Sequence, residues 1–243
     1  MKTIIAMAAL AARPGLAAAS DSLLGVTLVQ DKTGHALSVP MQILLLFTAM
    51  TLLPAILMAL TPFLRITIVL HFLRQALGTQ TAPSNPVLVA LALFLALIIV
   101  QPVAVQVYHQ GWEPLENGQV SASQAWDQAS GPIKTFLLKF AREKDIQLFI
   151  ELGHSPAPAK PSDVPISALA PAYVLSELKA AFQIGAVLFL PFLIIDLVVA
   201  SVTLSLGMVQ LPPAMISAPF KILLFVLVDG WNLVVGSLVR SFY

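Results

Sequence analysis

Sixteen consecutive residues, Ala180 to Ile195, carry no formal charge, and the run closes on Asp196 with apolar residues continuing beyond it. Just before it stand Glu177 and Lys179, so the stretch from Pro171 to Asp196 is an apolar segment with ionisable groups at both ends. No solvated face is marked in its pattern, which excludes an ordinary amphipathic helix on a soluble core. A plain membrane anchor has no use for an acid at its far end. An ionisable group within an apolar span costs ~2.5–3.5 kcal/mol on insertion scales and usually faces a partner or a water-filled path. The stretch therefore reads as a membrane-type helix whose charges have a task.

Composition agrees with that class. The chain is 58% hydrophobic and 10% charged, against roughly 25% charged in a soluble domain. Its net charge of +1 gives no general attraction to nucleic acid. Cysteine is absent, which excludes disulfides, thiolate metal sites and a cysteine nucleophile. The four histidines, at 35, 71, 109 and 154, are too far apart in sequence to suggest a metal site. No metal or cofactor is expected.

From the N-terminus, Lys2, the apolar run Ile4 to Ala12 and the small residues Ala17 to Ala19 form a signal-peptide pattern over 1–19, with Arg13 out of place between run and site. Cleavage there and an uncleaved short anchor are both open. Residues 20–39 read as an exported linker. Met41 to Leu60 is twenty uncharged residues, enough to cross ~30 Å of hydrocarbon as a helix, with Pro54 as a kink site. The pattern runs on through Arg65, His71 and Arg74 to Gly78, which ends the helix. Arg65 and Arg74 are nine residues apart, about 180° around a helix, so they form no single stripe. They serve either topology, holding this end in the cytoplasm, or a specific partner contact. Val87 to Val107 gives a second span, and 40–107 is the first helical pair.

Residues 108–170 differ in kind: five bases and seven acids fall here, twelve of the chain's 25 charged residues. Ile133, Phe136, Leu137 and Phe140 fit one helical face, and the segment reads as a small helical insertion. The connection 61–86 carries +2, so the positive-inside rule puts it in the cytoplasm and 108–170 outside.

The second pair is 171–243. Ser176 to Leu206 is about 46 Å long as a helix at ~1.5 Å per residue. It must tilt, break at Pro191, or leave the lipid. A charge-free Met/Pro turn, 207–219, follows Gly207; it is either an ordinary turn or a deformable apolar surface. The last span holds Lys221 and Asp229, about 80° apart on a helix. If the two helices form a hairpin, Asp196 and Lys221 reach similar depth and are the preferred pair. Glu177, Lys179, Asp196, Lys221 and Asp229 then form a buried charge network. Such a network either sets helix register at little net stability or responds to protons or a passing substrate.

The fold class is thus all-α: two helical hairpins of long kinked helices with a small inserted extracytoplasmic helical domain. PAYVLSELKAAFQIG, LPFLIIDLVVASV, LPPAMISAPFKILLFVLVDGWNLVVGSL and LRQALGTQTAPSNPVLVALALFL resemble the FliP family of type III export-gate proteins, from about Met41 onward. The signal-peptide-like start, AFQIG and the GSLVRSFY ending favour its flagellar branch over the virulence branch. The resemblance implies a non-enzymatic pore subunit in the bacterial inner membrane at the flagellar basal body. It implies about five copies assembled with FliQ-type and FliR-type subunits, and exported flagellar proteins as substrates. It places the family's buried charges on Glu177, Lys179, Asp196 and Lys221, and a channel-closing gasket on the turn Met208, Val209, Gln210, Leu211, Pro212 and Pro213. Three consecutive methionines are common in the family there; this chain keeps Met208 and has Gln210. Asn85-Pro86 stands where the family often has Asn-Gln, a local loop change.

Two other classes were weighed. A membrane hydrolase needs a nucleophile–base pair at membrane depth, and Ser176, Ser201 and Ser205 have no base nearby in sequence. A solute transporter built on inverted repeats would show similarity between the two pairs, and none is evident.

Overall fold

A computed structural model describes residues 39–79, 81–156, 158–208 and 212–243. The signal-peptide pattern and the linker up to residue 38 lie outside the described residues. The chain forms two units, Met1–Pro54 and Ala55–Tyr243.

Among the described residues the regular structure is helical. The helices are α1 (Val39–Ala59), α2 (Phe63–Ala76), α3 (Asn85–Val107), α4 (Glu113–Glu116), α5 (Ala122–Phe140), α6 (Glu143–Leu152), α7 (Ile166–Ser205), α8 (Pro213–Leu227) and α9 (Gly230–Arg240). One π-turn, Tyr108–Trp112, joins α3 to α4. Three helical stretches are long and apolar enough to cross a membrane: Pro40–Ala59, Asn85–Glu116 and Ile166–Ser205. The pair α8 and α9, bent by 67°, would make a fourth if it counts as one span.

Within the second unit α2 is central. Ile66, Val69, Leu70 and Leu73 recur at helical spacing and are all fully buried. They share a core with Leu88, Ala92 and Ile99 of α3, Ala181 and Phe192 of α7, Phe225 of α8 and Leu238 of α9. α2 also lies on α7 where Phe72 meets Phe182 and Phe189 edge-on. That approach requires Gly185, because a Cβ there would lie 2.5 Å from the Phe72 ring. α2 ends on Gly78, whose φ of 75° is a backbone conformation that glycine adopts without strain.

Two expectations need correction, and the packing of the segment 108–170 is added to them. The apolar run from Met41 does not continue as one helix into the arginines; Thr61 and Pro62 separate α1 from α2. α7 starts ten residues before Ser176, and of the three alternatives for its length a break at Pro191 does not occur, since the helix runs through it. The segment 108–170 packs against the second pair. Leu137 and Leu169 share a core with Tyr173 of the second pair, and Phe140 stacks on Phe242 at 5.2 Å. The face expected on α5 is the one that faces this core. Ser121 caps that helix in a reciprocal box with Gln124.

Candidate functional site

The charges expected to form one network fall into three separate pairs spaced along α7. The first is Glu177, which is fully buried. Its partner is Arg65 of α2, whose Nε donates to Oε2 at 2.9 Å while Nη2 donates to Oε1. Arg65 Nη1 also donates to Ser241 Oγ at 3.1 Å. The guanidinium stacks on the Phe242 ring at 4.0 Å and lies 5.7 Å from that of Phe140. One arginine thus ties together α2, α5, α7 and the residues after α9. A planar fork suits this task and an ammonium does not.

The second pair is Lys179 with Asp145 of α6. Asp145 is 2% exposed and also accepts from Ser176 Oγ at 2.8 Å. Ser176 Oγ in turn accepts from the Arg142 backbone N–H, and Arg142 Nη2 donates to Gln183 Oε1 at 2.6 Å. Burial alone would raise the Asp145 carboxyl. The hydrogen bonds from Lys179 and Ser176, with the charges of Lys179 and Arg142, outweigh it and hold the group below its ordinary value.

The third pair closes the hairpin. Lys221 Nζ lies 2.6 Å from Asp196 Oδ2, and Ser217 Oγ donates to Oδ1 at 2.6 Å. Ser217 and Lys221 are buried, whereas the Asp196 side chain is 38% exposed. Phe192 against Phe225 carries the same antiparallel contact further along.

Asp229 does not join Lys221. Their phase relation assumed one continuous helix, but α8 ends at Leu227 and Asp229 takes a left-handed conformation, φ 50°. Among the described residues its side chain accepts a hydrogen bond from Asn232 Nδ2 at 3.2 Å.

Of the turn residues, Met208 is partly exposed and Pro212–Pro213 open α8; Val209, Gln210 and Leu211 lie outside the described residues. Arg74 holds the α2–α3 turn, donating to Pro83 O and Asn85 Oδ1. It also reaches His71 Nδ1 at 3.2 Å. A guanidinium only donates, so Nδ1 accepts and the imidazole proton sits on Nε2. Burial first, then the Arg74 charge, lower the His71 pKa.

Arg65 meets α7 at the level where α6 does, whereas Arg74 lies ~13 Å further along α2, at the other turn. Sequence reasoning missed two partners, Arg65 for Glu177 and Asp145 for Lys179. They are 112 and 34 residues away from them. Asp145 is one of four consecutive charges from Arg142, with nothing in the sequence to single it out.

A family model, FliP family, matches residues 46–238 and so takes in both members of each of the three ion pairs. The chain belongs to the FliP family. Among its relatives is the flagellar biosynthetic protein FliP of Pectobacterium carotovorum subsp. carotovorum, 50% identical over 86% of this chain and 81% of the relative. The protein of the same name in Bacillus subtilis (strain 168) is 49% identical over 83% and 91%. That of Treponema pallidum (strain Nichols) is 44% identical over 88% and 79%.

Proposed function

We propose that this chain is a pore-forming core subunit of a flagellar type III protein export gate, passing unfolded flagellar proteins across the inner membrane. About five copies assemble with FliQ-type and FliR-type subunits, and the turn Met208–Pro213 lines the closed channel. The role is conduction rather than catalysis. The flagellar names of the relatives support this branch over the virulence one.

The observation that carries the reading is α7. Its 40 residues extend about 60 Å, twice the ~30 Å thickness of a hydrocarbon core. Along it Phe182, Val187, Leu190, Leu193, Ile194 and Leu197 are 50–68% exposed. Tilt alone does not place so long a rod within lipid, and water does not suit its surface. Other protein subunits cover it. The charges of α7 meanwhile are satisfied inside the chain, as a rigid element of an assembly requires.

The test is to place a photo-crosslinking residue at Met208 in cells exporting a flagellar protein fused to a folded domain that stalls it. A crosslink between position 208 and the stalled protein is expected. A gate that exports normally, with no such crosslink from 208 or from Pro212, would contradict a channel-lining turn. The segment 108–170 is placed on the periplasmic side. A cysteine at Ser123 should then react with an impermeant thiol reagent in intact cells, and one at Ser84 should not. The reverse pattern would invert the topology.

A further inference from the structure

Every ionisable group on the apolar stretch of α7 and α8 has an opposite charge beside it: Glu177 has Arg65, Lys179 has Asp145, and Asp196 has Lys221. Asp229 is the exception. It is exposed, and among the described residues it takes part in no ion pair. Its surroundings are not those of a solvated carboxylate. Leu223, Val226, Leu227, Val228 and Leu233 are 50–76% exposed around the bend between α8 and α9. That bend falls inside a stretch which, taken as one span, is apolar enough to cross a membrane.

Lipid is a poor neighbour for this group, since a carboxylate at membrane depth costs ~2.5–3.5 kcal/mol even on insertion scales. Among the described residues, Lys134, Lys139, Arg142, Lys144 and Lys160 belong to the charged segment 108–170, and the cations of the apolar helices are in use. Arg65, Lys179 and Lys221 are engaged, and Arg74 is held by Pro83, Asn85 and His71. Arg240 lies eleven residues on, ~16 Å along α9, in its last turn, where a cation is favoured in any case. On its apolar helices a second copy of this chain brings the same engaged cations; its other described cations lie on the charged segment 108–170.

We infer that the Leu223–Leu233 bend is a docking surface for an apolar helix of a different subunit, whose single lysine or arginine pairs with Asp229. Flanking aliphatic side chains of that helix cover Val226, Leu227 and Val228. A pair closed in this way is shielded from water, so it sets register and partner choice as well as affinity. The inference rests on the reading of the chain as one subunit of an assembly, and not on which residues line the channel.

The test uses the complex purified from membranes with its co-expressed partners. A photo-crosslinking residue at Val228 should capture a peptide from another subunit, with a lysine or arginine within one helical turn of the crosslink and aliphatic neighbours. Asp229→Asn keeps a residue that tolerates the left-handed conformation and removes only the charge. It should lower retention of that subunit about tenfold, and Asp229→Lys should abolish it. Reversing the partner's cation to an acid should restore retention by Asp229→Lys. Crosslinks to lipid or to another copy of this chain would overturn the inference. So would unchanged retention in both variants, or rapid modification of Asp229→Cys by a water-soluble thiol reagent in the intact complex. Should the unaltered chain form no complex at all, the subunit reading fails and this inference with it. A complex that assembles normally with water or lipid at position 229 removes the inference alone.

Discussion

The Arg65 guanidinium is ion-paired to Glu177, hydrogen-bonded to Ser241 and stacked on Phe242 at once. Removing one member of a buried pair leaves the other charge uncompensated, at a cost of about 3–5 kcal/mol. Arg65→Ala should therefore lower stability by that order, and Arg65→Lys should recover only part because it cannot bridge both carboxylate oxygens. Thermal unfolding of the detergent-solubilised chain measures both; an Arg65→Ala protein as stable as the parent would remove the pair's structural role. Asp145 gives a pH prediction with a definite sign. Its folded-state pKa lies below its ordinary value, so its contribution is fully present above that value and is lost as pH falls through the folded one. Hydrogen exchange of the α6 amides, corrected for intrinsic rate, should stay slow from pH 7 to 5 and accelerate below about pH 4. Acceleration already near pH 6 would point to a different group. At Asp196, where Lys221 and Ser217 meet, either charge reversal alone should abolish export. Exchanging the two charges should recover more export than either single change; equal failure of all three would reject the pair as functional. The two halves of this site differed in how far they could be read ahead. Asp196 and Lys221 lie 25 residues apart on the arms of one hairpin, so a depth argument reaches them. Arg65 and Glu177 are joined only by the packing of α2 on α7, which no local pattern encodes.

Among the elements, α2 and α7 run in the same direction, Arg65 beside Glu177 and Phe72 beside Gly185. Their closeness depends on the missing Cβ at Gly185. Gly185→Ala should push Phe72 out of place and cost ~1–3 kcal/mol by overpacking. Combining it with Phe72→Leu should cost less than the two separate effects summed, because the residues share one contact; strict additivity would show that they do not. The helical character of these elements was legible because long uncharged runs leave few alternatives. Their ends were less so. Pro191 sits within α7 without ending it, whereas the Asp229-Gly230 dipeptide, a turn signal, sits where α8 gives way to α9. A proline forfeits one hydrogen bond, which a long helix with packed neighbours tolerates. At the bend Gly230 leaves room for the Phe225 ring, 2.3 Å from where its Cβ would be, a contact local to the bend.

For the molecule as a whole, the described surface is the strongest statement of purpose. Large apolar side chains from Val87 to Tyr243 stay exposed while the charges of α7 are neutralised within. On the proposed reading such a chain is finished by its neighbours, lipid for some faces and protein for others. Class and family were readable from the sequence for the same reason that assembly geometry was not: apolar runs and long motifs record what is buried, not by whom. The most direct measurement is the native mass of the complex purified in detergent, with and without its co-expressed partners. The expected result is a mass of several copies of the 26.0 kDa chain, larger when the partners are present. A monodisperse particle with a single copy under both conditions, still supporting export, would contradict the central claim.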